Sequence, residues 1–268
     1  MFSHLNLGSN DLKRSEAFYT AVGPTIELPL LHVDHDEGFF SLGKSDRSAP
    51  PLIVCRPFDD LPATWSNGFH IAFMAKDEDA VRQFHRTALA HGGYDEGAPG
   101  LRTIYAPDYY AAYVRDPDGN KLQAVCYLDG RKTGPGGDVI SHITIGHADF
   151  ERERAFYTAV LATLGIVEIP EEGDANSAGF GIEGFETPIV YVQPPFDGRP
   201  ASFGNGTHVA FSASSREAVD RFHAEALAAG GSSDGEPGLR PHYSANYYGA
   251  YVRDRVGNKL QAVCRKPA

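Results

Sequence analysis

Cysteine, long apolar runs and excess positive charge are all scarce in this chain of 268 residues. Three cysteines form no disulfide framework at this length, and Cys126 and Cys264 hold matching repeat positions, which suits packing in a reducing compartment. No stretch approaches the roughly 18 to 20 consecutive apolar residues of a membrane span. The first residues also lack the basic-then-apolar layout of a secretion signal, so a cytoplasmic protein with no membrane partner is expected. The net charge of −11 is spread over both halves without a basic stripe to neutralise phosphates, which argues against a nucleic-acid partner.

What the chain does have is a copy of itself. An offset of 138 residues lays His70 on His208 and Cys126 on Cys264 without a gap, and both copies close on GNKLQAVC. The same offset carries Phe2–Val22 onto Ile140–Val160. A weaker echo at an offset of 66 places His4 on His70, Asp11 on Asp77 and Phe18 on Phe84, and in the second copy His142 on His208. The expected organisation is a first unit over 1–127, a polar Gly-rich linker over 128–138 and a second unit over 139–268, each made of two modules.

Each module begins with an alternating strand, Leu5 and Leu7 on one face and His4 and Asn6 on the other, followed by a helix with a helical apolar stripe. Asp11 is placed to cap the first helix, and Ser214 and Glu217 have capping-box spacing before the last. Apolar runs at Ile26–Leu31, Phe39–Leu42 and Leu52–Arg56 read as three further strands. In the second module GAPGLR reads as a loop, followed by strands at Tyr109–Arg115 and Lys121–Tyr127 around the turn DPDGN. The copies diverge most between Gly23–Asp46 and Leu161–Gly184, where the first carries His32 and His35 and the second Pro170 and Gly173.

Alternation puts His4, His70 and Gln123 on strand faces turned away from the helices, with His142, His208 and Gln261 as their repeats. If the sheet curls, two imidazoles and an oxygen donor suit a divalent metal such as Fe, Mn, Ni or Zn. Tyr109, Tyr113 and Arg115 share one strand face, as do Tyr247, Tyr251 and Arg253, and a phenol beside a metal can orient an acidic or aromatic substrate. Arg102 and Arg240 are candidates to hold a carboxylate, with surface pairing as the alternative. His85 and His223, on the second helix of each unit, read as packing residues, and His32 and His35 as parts of a solvated turn.

Strand histidines followed by D-L-x-R-x-x-x-F-Y, a mid-unit G-x-H and a closing DPDGN-x-L resemble the vicinal oxygen chelate superfamily over nearly the whole chain. That superfamily includes glyoxalase I, extradiol dioxygenases and bleomycin-resistance proteins. The resemblance implies paired βαβββ modules whose curled sheets enclose a metal or ligand cavity, with His4 and His70 at ligand positions. Gln123 stands where the family usually has glutamate. An amide oxygen coordinates without contributing charge and cannot serve as a general base.

The expected fold is α+β, a tandem duplication whose units each hold two βαβββ modules in curled mixed sheets with helices on the convex face. His4 shares its cavity either with His70 and Gln123 or, across the duplication, with His208 and Gln261. Two functions compete. One is a glyoxalase-like or dioxygenase-like metalloprotein using Lewis-acid catalysis on a small substrate with vicinal oxygens. The other is a bleomycin-resistance-like protein that sequesters a small molecule without chemistry. An internal pseudo-dimer, able to act as a monomer, is expected in either case.

Overall fold

The computed structural model describes residues 1–45, 51–130, 139–170, 175–185 and 187–267. Most of the expected linker, Asp46 and Gly173 lie outside the described residues. The first module contains β1 (Phe2–Gly8), α1 (Leu12–Val22), β2 (Leu30–Asp34), β3 (Phe39–Leu42) and β4 (Leu52–Cys55). The second contains β5 (His70–Met74), α2 (Glu78–Ala90), β6 (Tyr94–Leu101), β7 (Tyr109–Arg115) and β8 (Lys121–Tyr127). The third contains β9 (Ile140–Gly146), α3 (Phe150–Ala162), β10 (Ile166–Ile169), β11 (Ala178–Ile182) and β12 (Val190–Gln193). The fourth contains β13 (His208–Ser212), α4 (Arg216–Ala228), β14 (Ser232–Leu239), β15 (Tyr248–Arg253) and β16 (Lys259–Cys264). No helix among the described residues is long and apolar enough to cross a membrane.

The modules pair across the duplication. One eight-stranded sheet runs β14-β15-β16-β13-β1-β4-β3-β2 and joins the first and fourth modules; the other runs β10-β11-β12-β9-β5-β8-β7-β6 and joins the second and third. Each seam is antiparallel, β1 with β13 and β5 with β9. The helices follow the opposite rule, since α1 packs on α2 and α3 on α4, within each copy. Strands therefore tie the copies together while helices tie neighbouring modules, and one buried core draws on all four modules.

Local signals explain most elements. Asp11 accepts from the Arg14 amide at 3.1 Å and Asp77 from the Ala80 amide at 2.9 Å, starting α1 and α2. Leu5 and Leu7 pack with Leu12, Phe18 and Tyr19 in the core, which leaves His4 on the opposite face. The turn after β7 is fixed by buried Asp116, which accepts from the Tyr19 hydroxyl at 2.8 Å and from Asn120 Nδ2 at 2.9 Å. Asn120 in turn donates to the Gly8 carbonyl at 3.1 Å, tying the turn to the end of β1.

Three expectations are corrected. GAPGLR is not a loop: all but its last residue, Arg102, lie in β6, an outer strand whose pairing with β7 slips around Gly97 and Gly100; glycine and proline are tolerated at such an edge. The segment expected as a strand at Ile26–Leu31 begins as a 3-10 turn over Gly23–Ile26, and β2 starts only at Leu30. The cap of α4 is Ser215, which accepts from the Ala218 amide at 3.2 Å, one residue later than the capping-box spacing indicates.

Candidate functional site

Register fixes which side chains meet. In the first sheet Asn6 faces His208 across the seam and His4 faces Ala210, while Ala210 pairs on its other side with Gln261. His4 and Gln261 thus flank Ala210 on one rung, with His208 on the next. The second sheet repeats this with His142, Ala72 and Gln123 on one rung and His70 beside Thr144 on the next. The sheets settle the open pairing: His4 meets His208 and Gln261, and His142 meets His70 and Gln123.

Both seams carry an irregularity, between Phe2 and His4 and opposite Phe73 at Ser141. A bulge re-aims the extra residue. Here it sets Ser3 Oγ 3.0 Å from His4 Nδ1, and Ser141 Oγ 3.0 Å from His142 Nδ1. A serine that accepts the Nδ1 proton leaves the Nε2 lone pair turned to the site.

In the first site, His4 Nε2 lies 3.3 Å from His208 Nε2. Gln261 Nε2 donates to the Tyr247 hydroxyl at 2.9 Å, while buried Gln261 Oε1, beside His208, has no well-formed hydrogen bond. In the second site the amide is committed at both ends, with His70 Nε2 3.0 Å from Gln123 Oε1 and Gln123 Nε2 donating to the Tyr109 hydroxyl at 2.5 Å. Tyr109 also packs edge-on against Tyr127 and belongs to an apolar cluster with Ala72, Met74 and Val125.

All four imidazoles are held neutral. Burial pushes His142 down to about 3, and burial with the nearby Arg265 charge does the same to His4. His70 and His208 are held well below the usual range, first by burial and then by the facing imidazole. Neutral imidazole is the metal-ligating form. Two nitrogens about 2.0–2.1 Å from one tetrahedral ion lie about 3.3–3.4 Å apart. The His4–His208 separation and the unpartnered Gln261 oxygen therefore fit a divalent metal held by His4, His208 and Gln261. His142, His70 and Gln123 offer the same donor types in a more hydrogen-bonded state. No group of three or more His, Cys, Asp or Glu suited to a metal occurs among the described residues, so any such centre depends on the glutamine.

The tyrosines and arginines separate. The Tyr113 and Tyr251 rings lie 6.1 and 6.2 Å from the His70 and His208 rings, and burial raises both phenols. Arg115 instead pairs with Glu96 at 2.6 Å and covers Trp65, and Arg253 pairs with Asp234 at 2.9 Å and covers Phe203. Arg102 and Arg240 donate to the Ala98 and Glu236 backbone carbonyls. His85 pairs with Asp95 at 2.9 Å, buried His223 lies 2.8 Å from Ser233 Oγ, and His35 pairs with Glu16 at 2.8 Å. Sequence reasoning missed Ser3 and Ser141, whose only signal was the repeated Ser-His pair, and Arg265, just past the end of the repeat.

The curled paired sheets and their inward imidazoles place the chain in a family. Residues 1–124 and 139–262 match the Glyoxalase/Bleomycin resistance protein/Dioxygenase superfamily, and the chain belongs to it. Glyoxalase I from Zea mays is similar at 19% identity and a TM-score of 0.73, over 98% of this chain and 92% of that one. A putative dioxygenase from Bacillus subtilis subsp. subtilis str. 168 is similar at 14% identity and a TM-score of 0.64, over 100% of this chain and 86% of that one. At these identities the likeness is one of fold. A glyoxalase/bleomycin resistance protein from Albidiferax ferrireducens T118 is 34% identical over 47% of this chain and 98% of its own, with a TM-score of 0.42. No curated protein matches the chain.

Proposed function

We propose that the protein is a cytoplasmic, glyoxalase-like or dioxygenase-like metalloprotein acting on a small organic substrate with vicinal oxygens. The observation that carries this reading is the convergence of His4 and His208, 3.3 Å apart, on a buried Gln261 oxygen without a well-formed partner. A divalent metal bound there supplies Lewis-acid polarisation of substrate oxygens. The chain's own part is to hold neutral imidazoles in place and keep the glutamine amide oriented through Tyr247. Tyr251, protonated at neutral pH because burial raises its phenol, donates a hydrogen bond to a bound oxygen. Gln261 cannot take a proton as a carboxylate would, so it orients and coordinates but does not serve as the base.

The tyrosine-lined face around Tyr109 and Tyr127 favours a second reading, sequestration of an aromatic molecule without chemistry. Metal analysis of protein purified without chelator separates the two. The metalloprotein reading expects bound divalent metal that is lost in His208→Ala. Metal-free wild-type protein that does not take up Fe, Mn, Ni or Zn refutes it, and unchanged occupancy in both His208→Ala and His70→Ala refutes the ligand set.

A further inference from the structure

Across the first seam the residue opposite His208 is Asn6, which lies two positions along β1 from His4 and on the same face. Residues paired directly on one face hold their Cβ atoms about 4.5–5.5 Å apart, close enough for their side chains to share a ligand. Asn6 is only 9% exposed, and the two ends of its amide differ. Nδ2 donates toward β4, to Cys55 Sγ at 3.7 Å, while Oδ1 is buried and, among the described residues, has no hydrogen-bond partner. An amide is planar and forked, so a nitrogen that faces β4 turns the oxygen away from that strand, toward the seam.

The second copy shows how far a side chain at this position reaches. Thr144 stands opposite His70 in the second seam, and its Oγ1 lies 3.4 Å from His70 Nε2. An oxygen carried here therefore sits beside the imidazole nitrogen that faces the site. In the first site Asn6 carries an oxygen on a longer side chain from the same place on the seam.

A buried acceptor without a donor is costly, and a folded chain keeps one where something else completes it. The first site has two such oxygens, Asn6 Oδ1 and Gln261 Oε1. With His4 and His208 they come from three adjacent strands, β1, β13 and β16. Two neutral imidazoles and two amide oxygens form a cluster of lone pairs without a carboxylate, and a divalent cation satisfies all four at once.

We propose that Asn6 is a further metal-holding residue of the first site, its Oδ1 joining His4, His208 and Gln261, with Cys55 as the positioning residue that fixes the rotation of the Asn6 amide. The assignment rests on the metal reading given above and adds to it a fourth donor. Because all four donors are neutral, the bound ion keeps its full charge for polarising substrate oxygens.

Manganese is the probe, since amide oxygens suit it and free Mn²⁺ is counted directly by its electron paramagnetic resonance signal. It is titrated into the full chain carrying His70→Ala, which confines binding to the first site, and each variant is also made in the wild-type background. Asn6→Leu removes the oxygen at similar volume and should weaken Mn²⁺ binding about tenfold, and Asn6→Asp should tighten it about tenfold or more. Cys55→Ala frees the amide to rotate and should weaken binding by about threefold. Ile53→Val, beside Asn6 on β4, should change nothing. Urea midpoints of the metal-free variants separate packing from ligation: a lowered midpoint in Asn6→Leu with unchanged Mn²⁺ affinity overturns the proposal, as does Asn6→Asp binding no tighter than wild type. If Asn6→Leu does not fold, Asn6→Asp and Cys55→Ala carry the comparison. Mn²⁺ binding that is lost in His208→Ala but indifferent to Asn6 refutes this assignment alone. Wild-type protein that takes up no divalent metal refutes the metal reading and this assignment with it.

Discussion

The Nε2 atoms of His4 and His208 stand 3.3 Å apart across the seam between the first and last modules. His4 is buried, His208 is half-buried and both are held neutral, so protonating either puts a charge into a poorly solvated seam. In the unfolded chain these imidazoles titrate near 6.5, and in the folded chain His4 and His142 titrate at about 3. Between those values the unfolded state binds more protons, so stability present above pH 6.5 is lost as pH falls. Each imidazole contributes about 1.4 kcal/mol per pH unit in that window. Asp116, raised by burial to about 6, acts in the opposite sense, since acidification below 6 favours its folded form. Urea midpoints should fall from pH 7 to pH 4, and the fall should be shallower in a His4→Gln, His142→Gln double variant. An equally steep fall in that variant would remove the histidines as its cause.

Tyr19 and Asp116 join α1 to the turn between β7 and β8, and Tyr157 with Asp254 does the same in the second copy at 2.7 Å. Tyr19→Phe removes one donor from a buried carboxyl group and should cost about 1.5–3 kcal/mol in urea denaturation. The Asp116 carboxyl, deprived of that donor, should titrate above about 6 when followed by NMR. A loss below about 0.5 kcal/mol would mean that Asn120 alone satisfies Asp116.

The modules also meet at two glycine pairs. A Cβ on Gly8 would lie 2.3 Å from the Asn205 carbonyl oxygen and 3.1 Å from the Gly206 Cα, and one on Gly146 would lie 2.9 Å from the Gly68 Cα. Backbone cannot yield as a side-chain tip can. Gly8→Ala should therefore destabilise by about 1–3 kcal/mol or more, measured by thermal or urea unfolding. Gly165→Ala, where the added carbon meets nothing within 4 Å, is the control for open space, carrying only the strain of its φ of 74°.

Gln261→Glu tests the metal reading from the other side. The carboxylate can accept from the Tyr247 hydroxyl in place of donating to it, so the substitution is accommodated and adds the missing negative charge. Retention of Mn²⁺ or Zn²⁺ against a chelator should increase about tenfold or more. Unchanged retention would remove this side chain from the ligand set.

Much of this was legible in the letters. Two periodicities, two for the strands and helical for the stripes beneath them, gave the four modules and put His4 and His142 on the face away from Leu5 and Ile143. Module pairing was not legible, because β5 and β13 are near copies with a histidine at the same place, so β1 matches either by pattern. The Ser3 bulge left no mark on alternation, and β6 was hidden by glycine and proline that an edge strand accepts. Arg265 was overlooked because attention to the repeat favours what the copies share.

Strand exchange between the copies has an evolutionary side. A symmetric pair of separate identical chains carries two identical cavities, and any substitution alters both together. With both units on one chain, a change such as tyrosine against arginine at positions 127 and 265 touches a single cavity. One site is then free to change its lining without changing its twin.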